Sequence, residues 1–351
     1  MTVARRKWLD ADRRRRTSRE SAAHLKLIAE ELEAVADAQI DIPDERLALM
    51  FACAHPAIEP GIRAPLILQC ILGFDAAAIG SAFLVSPTAM GQRLVRAKQK
   101  IEQAGIPFRV PERADLRERL DAVLDAIYAT FAEGWIDPTG TETRRRNLAE
   151  EGIWLGRLVA SLLPDEPETL GLLALMLHAE ARRDARRSAA GDYVPLSDQD
   201  PVLWDMEMIA DAEALLRRAS LTGETGRYQL EAAVQSAHAV RRFGGQSDWE
   251  AIVALYDTLI AITGSPVAAI NRAVAIAETA GSDAGLAALN ELINDQRLAD
   301  YQPYWAARAG LLASVGNVAT ATSAYDLAIG LESDPAVRRF LQQRRGELSS
   351  G

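Results

Sequence analysis

Apolar residues recur three and four positions apart along most of this chain. Leu116, Leu120, Val123, Leu124, Ile127 and Phe131 form one such run, and that spacing lines one face of an α-helix. Alternating runs of β-branched residues are missing, while Ala and Leu dominate. The pattern predicts an all-α protein. Two stretches interrupt it. GIPFRVPERADL follows an N-terminal part that ends near Gly105, and its Pro107 and Pro111 stop helices, so 105–111 is expected to be a linker. SAAGDYVPLSDQDPVLWD, residues 188–205, reads as an ordered loop between helices. Its Asp198 and Asp200 could hold a cation, but the expected role is to cap the helix that Trp204 begins to fill.

One predicted helix stands apart. In SPTAMGQRLVRAKQKI, residues 86–101, Met90, Leu94, Ala97 and Ile101 fall on one stripe. Arg93, Arg96 and Lys100 cluster on an adjoining face, with Gln92 and Gln99 beside them. Ser86 is a good N-cap and Pro87 a good first helical residue. Upstream, FDAAAIGSAFLV predicts a shorter helix capped by Asp75 and buried through Ile79 and Phe83. A tight turn at Leu84 to Ser86 would join the two as a helix-turn-helix. Its second helix presents cations and amides, the groups that meet phosphates and base edges in a major groove. A solvated amphipathic helix is the ordinary alternative.

Charge favours the DNA reading. The 351 residues carry a formal net charge of −10. Met1 to Lys26 nevertheless holds nine Lys/Arg against three acids, and Ser86 to Lys100 holds four cations and no acid. Two basic islands in an acidic body suggest a polyanion-binding end joined to a protein-binding end. No apolar run approaches the ~20 residues of a membrane span, and the basic N-terminus lacks the apolar core of a secretory signal. Cys53 and Cys70 fit no metal spacing, suit a reducing cytosol and are expected to pack as small hydrophobes.

Other chemistry is sparse. His24, His55, His178 and His238 are scattered without metal-ligand spacing, and no nucleotide-binding or nucleophile-elbow motif occurs. Arg144 to Arg146 could grip an anion, though Thr143 and its neighbours are expected simply to start a helix. Phe131, Trp135 and Trp154 are expected in a core. No catalytic constellation, metal site or cofactor is predicted. Near the C-terminus, Gly281 and Gly316 lie 35 residues apart, each between helical segments. Around the second, Trp305, Ala309, Gly316, Ala321, Tyr325 and Ala328 fall at the large, small, turn, small, aromatic and small positions of the tetratricopeptide pattern, with Pro335 slightly late. The copy around Gly281 is degraded, with Asn290 in the aromatic position. An ordinary helical bundle uses Ala and Leu in much the same way.

PLILQCILGFDAAAIGSAFLVSPTAMGQRLVRAKQKI, residues 65–101, resembles without a gap the fourth conserved region of extracytoplasmic-function sigma factors, the promoter-recognition domain. Leu84 departs from it, because many members have glycine in the turn. The leucine fits a turn whose backbone avoids positive φ. DERLALMFACAHPAI, residues 44–58, is similar to the first helix of that domain in a subgroup with a long tetratricopeptide-like C-terminal extension. LLPDEPETLGLLALMLHAEARRDAR and LSDQDPVLWD resemble that extension. MTVARRKWLDADRRRR is similar to the last helix of the second conserved region, which in the family binds core polymerase and melts the promoter. The helices that precede it in the family are expected to be missing, and Met1 to about Thr17 to be frayed or to pack through Trp8.

The resemblance implies a cytoplasmic sigma-type transcription factor that is not an enzyme. Its expected organisation is a remnant of region two and a linker helix (1–43), a helix-turn-helix region-four domain (44–104), the linker (105–111), and a helical extension (112–351) with repeats near 265–335. The helix from Pro87 to Ile101 would read the minus-35 element. Arg93, Arg96, Lys98 and Lys100 would contact phosphates or bases, with Thr88 and Gln92 near base edges. Expected partners are promoter DNA, RNA polymerase core, and an intramolecular or regulatory protein contact through the extension, with no membrane. The alternative is a truncated sigma-like adaptor that binds protein only.

Overall fold

The computed structural model describes residues 42, 44–106, 108–135 and 143–348, leaving out the side chains of 143–146. The expectations for His24, the region-two remnant and the Arg144–Arg146 side chains therefore lie outside the described residues. Among the described residues there are fifteen α-helices, and the one β-pairing is an isolated bridge between Arg187 and Tyr193. The helices are α1 (Glu45–Cys53), α2 (Pro60–Cys70), α3 (Ala76–Ala82), α4 (Pro87–Ala104), α5 (Leu116–Trp135), α6 (Thr143–Leu162), α7 (Pro167–Glu180), α8 (Met206–Ser220), α9 (Arg227–Ala239), α10 (Trp249–Thr263), α11 (Pro266–Ala280), α12 (Ser282–Asn290), α13 (Gln302–Ser314), α14 (Val318–Leu331) and α15 (Pro335–Glu347).

Their boundaries follow local chemistry. Asp44, Asp75, Asp205, Asp248, Ser265, Asn317 and Asp334 each accept a hydrogen bond from a first-turn N–H of the helix they precede, which satisfies donors that have no intrahelical partner. In the 188–205 loop, capping falls one step later than expected. Asp205, not Asp198 or Asp200, caps α8, because Trp204 stays extended and buried outside the helix. Asp200 caps the 3₁₀ turn Pro201–Leu203, and Asp198 accepts from the Ser197 hydroxyl.

The chain divides into two compact units. Of the described residues, one comprises those up to Gly73 together with Gln92–Val123, the other Phe74–Gly91 together with those from Leu124 onward. The division runs through α4 and α5, while the proline-bearing segment after Gly105 is non-helical as far as Glu112 wherever it is described. In the first unit Leu47, Met50, Phe51, Ile67 and Leu68 are fully buried. Buried Arg119 donates to the Phe51 carbonyl at 3.1 Å, in the last turn of α1. Arg63 holds the following loop by donating to Ile58 O at 2.8 Å and Pro56 O at 2.7 Å.

In the second unit α7 is buried on all sides from Pro167 to His178, except at Glu168, and packs on α6, α8 and α9. It approaches α9 at Gly171, where a Cβ would stand 2.6 Å from Gln229 N. The same junction is closed by Glu168, which accepts from the N–H groups of Tyr228 and Gln229 at 2.8 and 3.1 Å. A carboxylate thus caps α9, which Gly226 begins without a side chain to do so. Farther on, α11 packs on α12 and α13 on α14, with Gly281 and Gly316 at φ +90° and +77° between them. Ala309, Ala321, Tyr325 and Ala328 share one buried cluster, against which Trp305 packs. Asn290 instead accepts from Arg308 at 2.6 Å. Phe131 is buried and stacks on half-buried Trp135, but Trp154 is 40% exposed. Trp154 lies one position off the buried stripe of Leu155, Val159 and Leu162.

Candidate nucleic-acid interface

The helix-turn-helix begins where Asp75 accepts from the N–H groups of Ala77 and Ala78 at 3.0 and 2.8 Å. Ile79 is fully buried and Phe83 half-buried. The turn closes over Gly80. Val85 donates its N–H to Gly80 O at 2.8 Å, and its own carbonyl lies 2.5 Å from where a Gly80 Cβ would stand. Any larger residue at 80 must displace backbone.

Leu84 corrects one expectation. Its φ is +53°, the left-handed region, and it is the one non-glycine among the described residues to adopt it. A leucine there costs about 1–2 kcal/mol relative to the ordinary region. The turn therefore has the backbone of the glycine version, with the strain carried by a half-buried side chain.

α4 starts as its sequence predicts. The Ser86 hydroxyl accepts from Ala89 N–H at 3.3 Å, and Pro87 fills the first helical position. Met90 and Leu94 are buried, and Ala97 and Ile101 half-buried. Thr88, Gln92, Arg93, Arg96, Gln99, Lys100 and Gln103 are exposed on the other side. Between Thr88 and Lys100 that side carries no acid, and exposed Glu102 follows in the last turn. Arg96 Nε donates to Gln92 O at 3.3 Å along the helix. Among the described residues, no carboxylate comes within ion-pair distance of Arg93, Arg96 or Lys100. Three exposed cations without a carboxylate partner among the described residues, with amides beside them, are chemically suited to an anionic polymer.

Lys98 parts from the other five predicted site residues. It is half-buried on the flank of the apolar stripe and lies in electrostatic range of Cys53 and Cys70. Burial pushes both thiols up, and the Lys98 ammonium only partly opposes this. Helical geometry carries the reason, since position 98 follows Leu94 by four and so falls on its side of the helix. Val95, 56% exposed, instead joins the solvent face, three residues after Gln92 and four before Gln99. That spacing is the readable signal, although a valine by its type suggests burial.

Among the described residues no group of His, Cys, Asp or Glu is arranged to hold a metal ion, and no helix is long and apolar enough to cross a membrane.

Residues 119–220 match a family of unknown function, DUF6596. That stretch runs from α5 to the end of α8 and is centred on α7. The chain is 39% identical over 307 residues to the uncharacterized protein R00370 of Rhizobium meliloti (strain 1021), covering 88% of this chain and 72% of that protein. No solved structure matches the chain.

Proposed function

The chain belongs to one family with that Rhizobium meliloti protein, and we propose that it acts as a sigma-type transcription factor that reads the minus-35 promoter element through its helix-turn-helix. The observation that carries this reading is the exposed, acid-free stretch of α4 from Thr88 to Lys100, offered by a helix that Ser86 caps directly after a tight turn. Arg93 and Arg96 are the base-reading or phosphate-binding cations, Lys100 a phosphate contact, and Thr88 and Gln92, near the helix start, the base-edge contacts. Val95 adds an apolar group of the kind that meets a thymine methyl. Lys98 is removed from the contact set on this reading.

The part of the second unit from Leu124 onward is the regulatory part. Its helix pairs α11–α12 and α13–α14, each with a left-handed glycine between them, support a tetratricopeptide-like surface for protein contacts, on RNA polymerase core or within the chain. Action on promoter DNA places the protein in the cytoplasm.

The test is fluorescence anisotropy of labelled promoter DNA with the full chain across a salt series. Binding should weaken steeply with salt. Arg93→Ala or Arg96→Ala should cost about 1–3 kcal/mol where the residue reads a base, and less where it meets only phosphate. If the folded Arg93/Arg96 double alanine variant binds promoter DNA as tightly as the wild type, the reading is wrong. An absence of salt-dependent binding by the wild type would favour the protein-only adaptor.

A further inference from the structure

The second unit gathers arginines around a buried indole, and among the described residues no carboxylate pairs with them. Trp204, 3% exposed, ends the 188–205 loop. Arg182 and Arg241 each hold the guanidinium carbon over its ring, 5.9 and 5.7 Å from the centroid. Arg182 donates to the His178 carbonyl at 3.2 Å and to the Gln235 side-chain carbonyl. Arg241 donates to the carbonyls of Leu196, Ser197 and Gln199. Arg186, one turn beyond Arg182, donates to the Trp135 carbonyl at 2.7 Å and lies 4.2 Å from that ring's centroid. These acceptors are all neutral, and among the described residues none of the three arginines has a carboxylate at ion-pair distance.

Two buried side chains beside the cluster have unused polar atoms. His178 is 2% exposed, and neither ring nitrogen has a hydrogen-bond partner. Its Nε2 lies 3.4 Å from Glu213 Oε1, outside hydrogen-bond geometry, and that oxygen is engaged by the Ser236 hydroxyl at 2.5 Å. The indole Nε1–H of Trp204 is also unpartnered. Burial, and then the charges of Arg186 and Arg241, lower Arg182 to about 10. Cations withdrawn from water without a counter-charge are costly, and unmade hydrogen bonds on buried groups add to the cost. A planar guanidinium fork is the group best shaped to hold a carboxylate or phosphate.

We propose that Arg182 and Arg241, beside Trp204 and His178, form an internal site for a small oxyanion, a ligand bearing a carboxylate or phosphate group. The site lies in the unit assigned to regulation and is independent of the DNA-reading face. An oxyanion there would neutralise the cluster and brace α7 against the loop that Arg241 tethers.

The experiment is thermal unfolding of the full chain in sodium phosphate, sodium acetate and sodium chloride at matched ionic strength. Phosphate or acetate should raise the midpoint saturably above chloride, because a ligand held only by the folded state stabilises it. Whichever anion does so names the headgroup. Arg182→Gln should abolish the rise, and Arg241→Lys, which keeps the charge but loses the fork, should shift its half-saturation about tenfold upward. The Arg93/Arg96 double alanine variant should respond as the wild type does. No saturable rise with either anion would overturn the proposal and leave internal water as the partner of these groups. An unchanged half-saturation in Arg241→Lys would overturn it equally, and decides the matter if Arg182→Gln does not fold.

Discussion

Two regions of this protein use arginine in opposite ways. On α4, Arg93 and Arg96 stand in solvent, and among the described residues no carboxylate is within ion-pair distance of them. At the start of α9, Arg227 is fully committed. It donates to Asp125 at 2.9 Å and Glu231 at 2.8 Å, and lies over the rings of Tyr228 and Tyr128 at 4.8 and 5.9 Å. Tyr228, buried, gives its hydroxyl to the same Asp125 oxygen at 2.7 Å. The comparison teaches that residue type does not decide the role. A guanidinium enclosed by acids and rings holds helices together, whereas one left solvated is available to another molecule.

The comparison can be broken most forcefully from beneath α4. Leu94→Ala, at a buried position, should cost about 2–5 kcal/mol of stability. Its neighbour Arg93→Ala should change stability by no more than about 0.5 kcal/mol. Denaturant unfolding of the two variants checks this, and equal losses would mean that Arg93 is structural.

The next effect is one of pH and belongs to the second unit. Burial, and then Arg182, lower His178 to about 4, and burial with Arg182 and Arg241 lowers His238 to about 4. The Glu213 carboxylate near His178 does not offset this, because Ser236 already engages it. An unfolded histidine titrates near 6.5, so between that value and about 4 the unfolded chain binds more protons than the folded one. Stability should therefore fall as pH drops through this window, by on the order of 3 kcal/mol for His178 if it acts alone. His178→Gln should flatten that part of the stability–pH curve, and an unchanged slope would show that the ring protonates within the fold.

A smaller loss is expected at the α7–α9 junction. Glu168→Ala removes the carboxylate that caps α9 and should cost about 2 kcal/mol, with promoter binding unchanged. Thermal unfolding and anisotropy on the same samples separate the two readouts. A loss of DNA affinity without a loss of stability would break the division of roles between the regions.

The periodicity, the helix starts at Asp75 and Ser86, the break after Gly105 and the acid-free stretch of α4 up to Lys100 were all legible in the sequence. Each depends on residues within one or two turns of one another, and helix hydrogen bonds and caps act over that range. The amino-acid order likewise located the small residues around Gly316, because a close helix pair needs Ala at fixed offsets from its turn. Other features were decided only by tertiary structure. Leu84 takes a left-handed backbone because the turn must close over Gly80. For Lys98 the four-residue spacing from Leu94 already put it on that side of the helix, and the fold added only its neighbours, Cys53 and Cys70. Arg182, Trp204 and Arg241 are far apart in the chain, and no local spacing announces that they meet. Local order specifies which helices form and which faces are apolar. What covers each face, and whether a buried charge finds a partner, depends on contacts between distant segments that only the folded chain brings together.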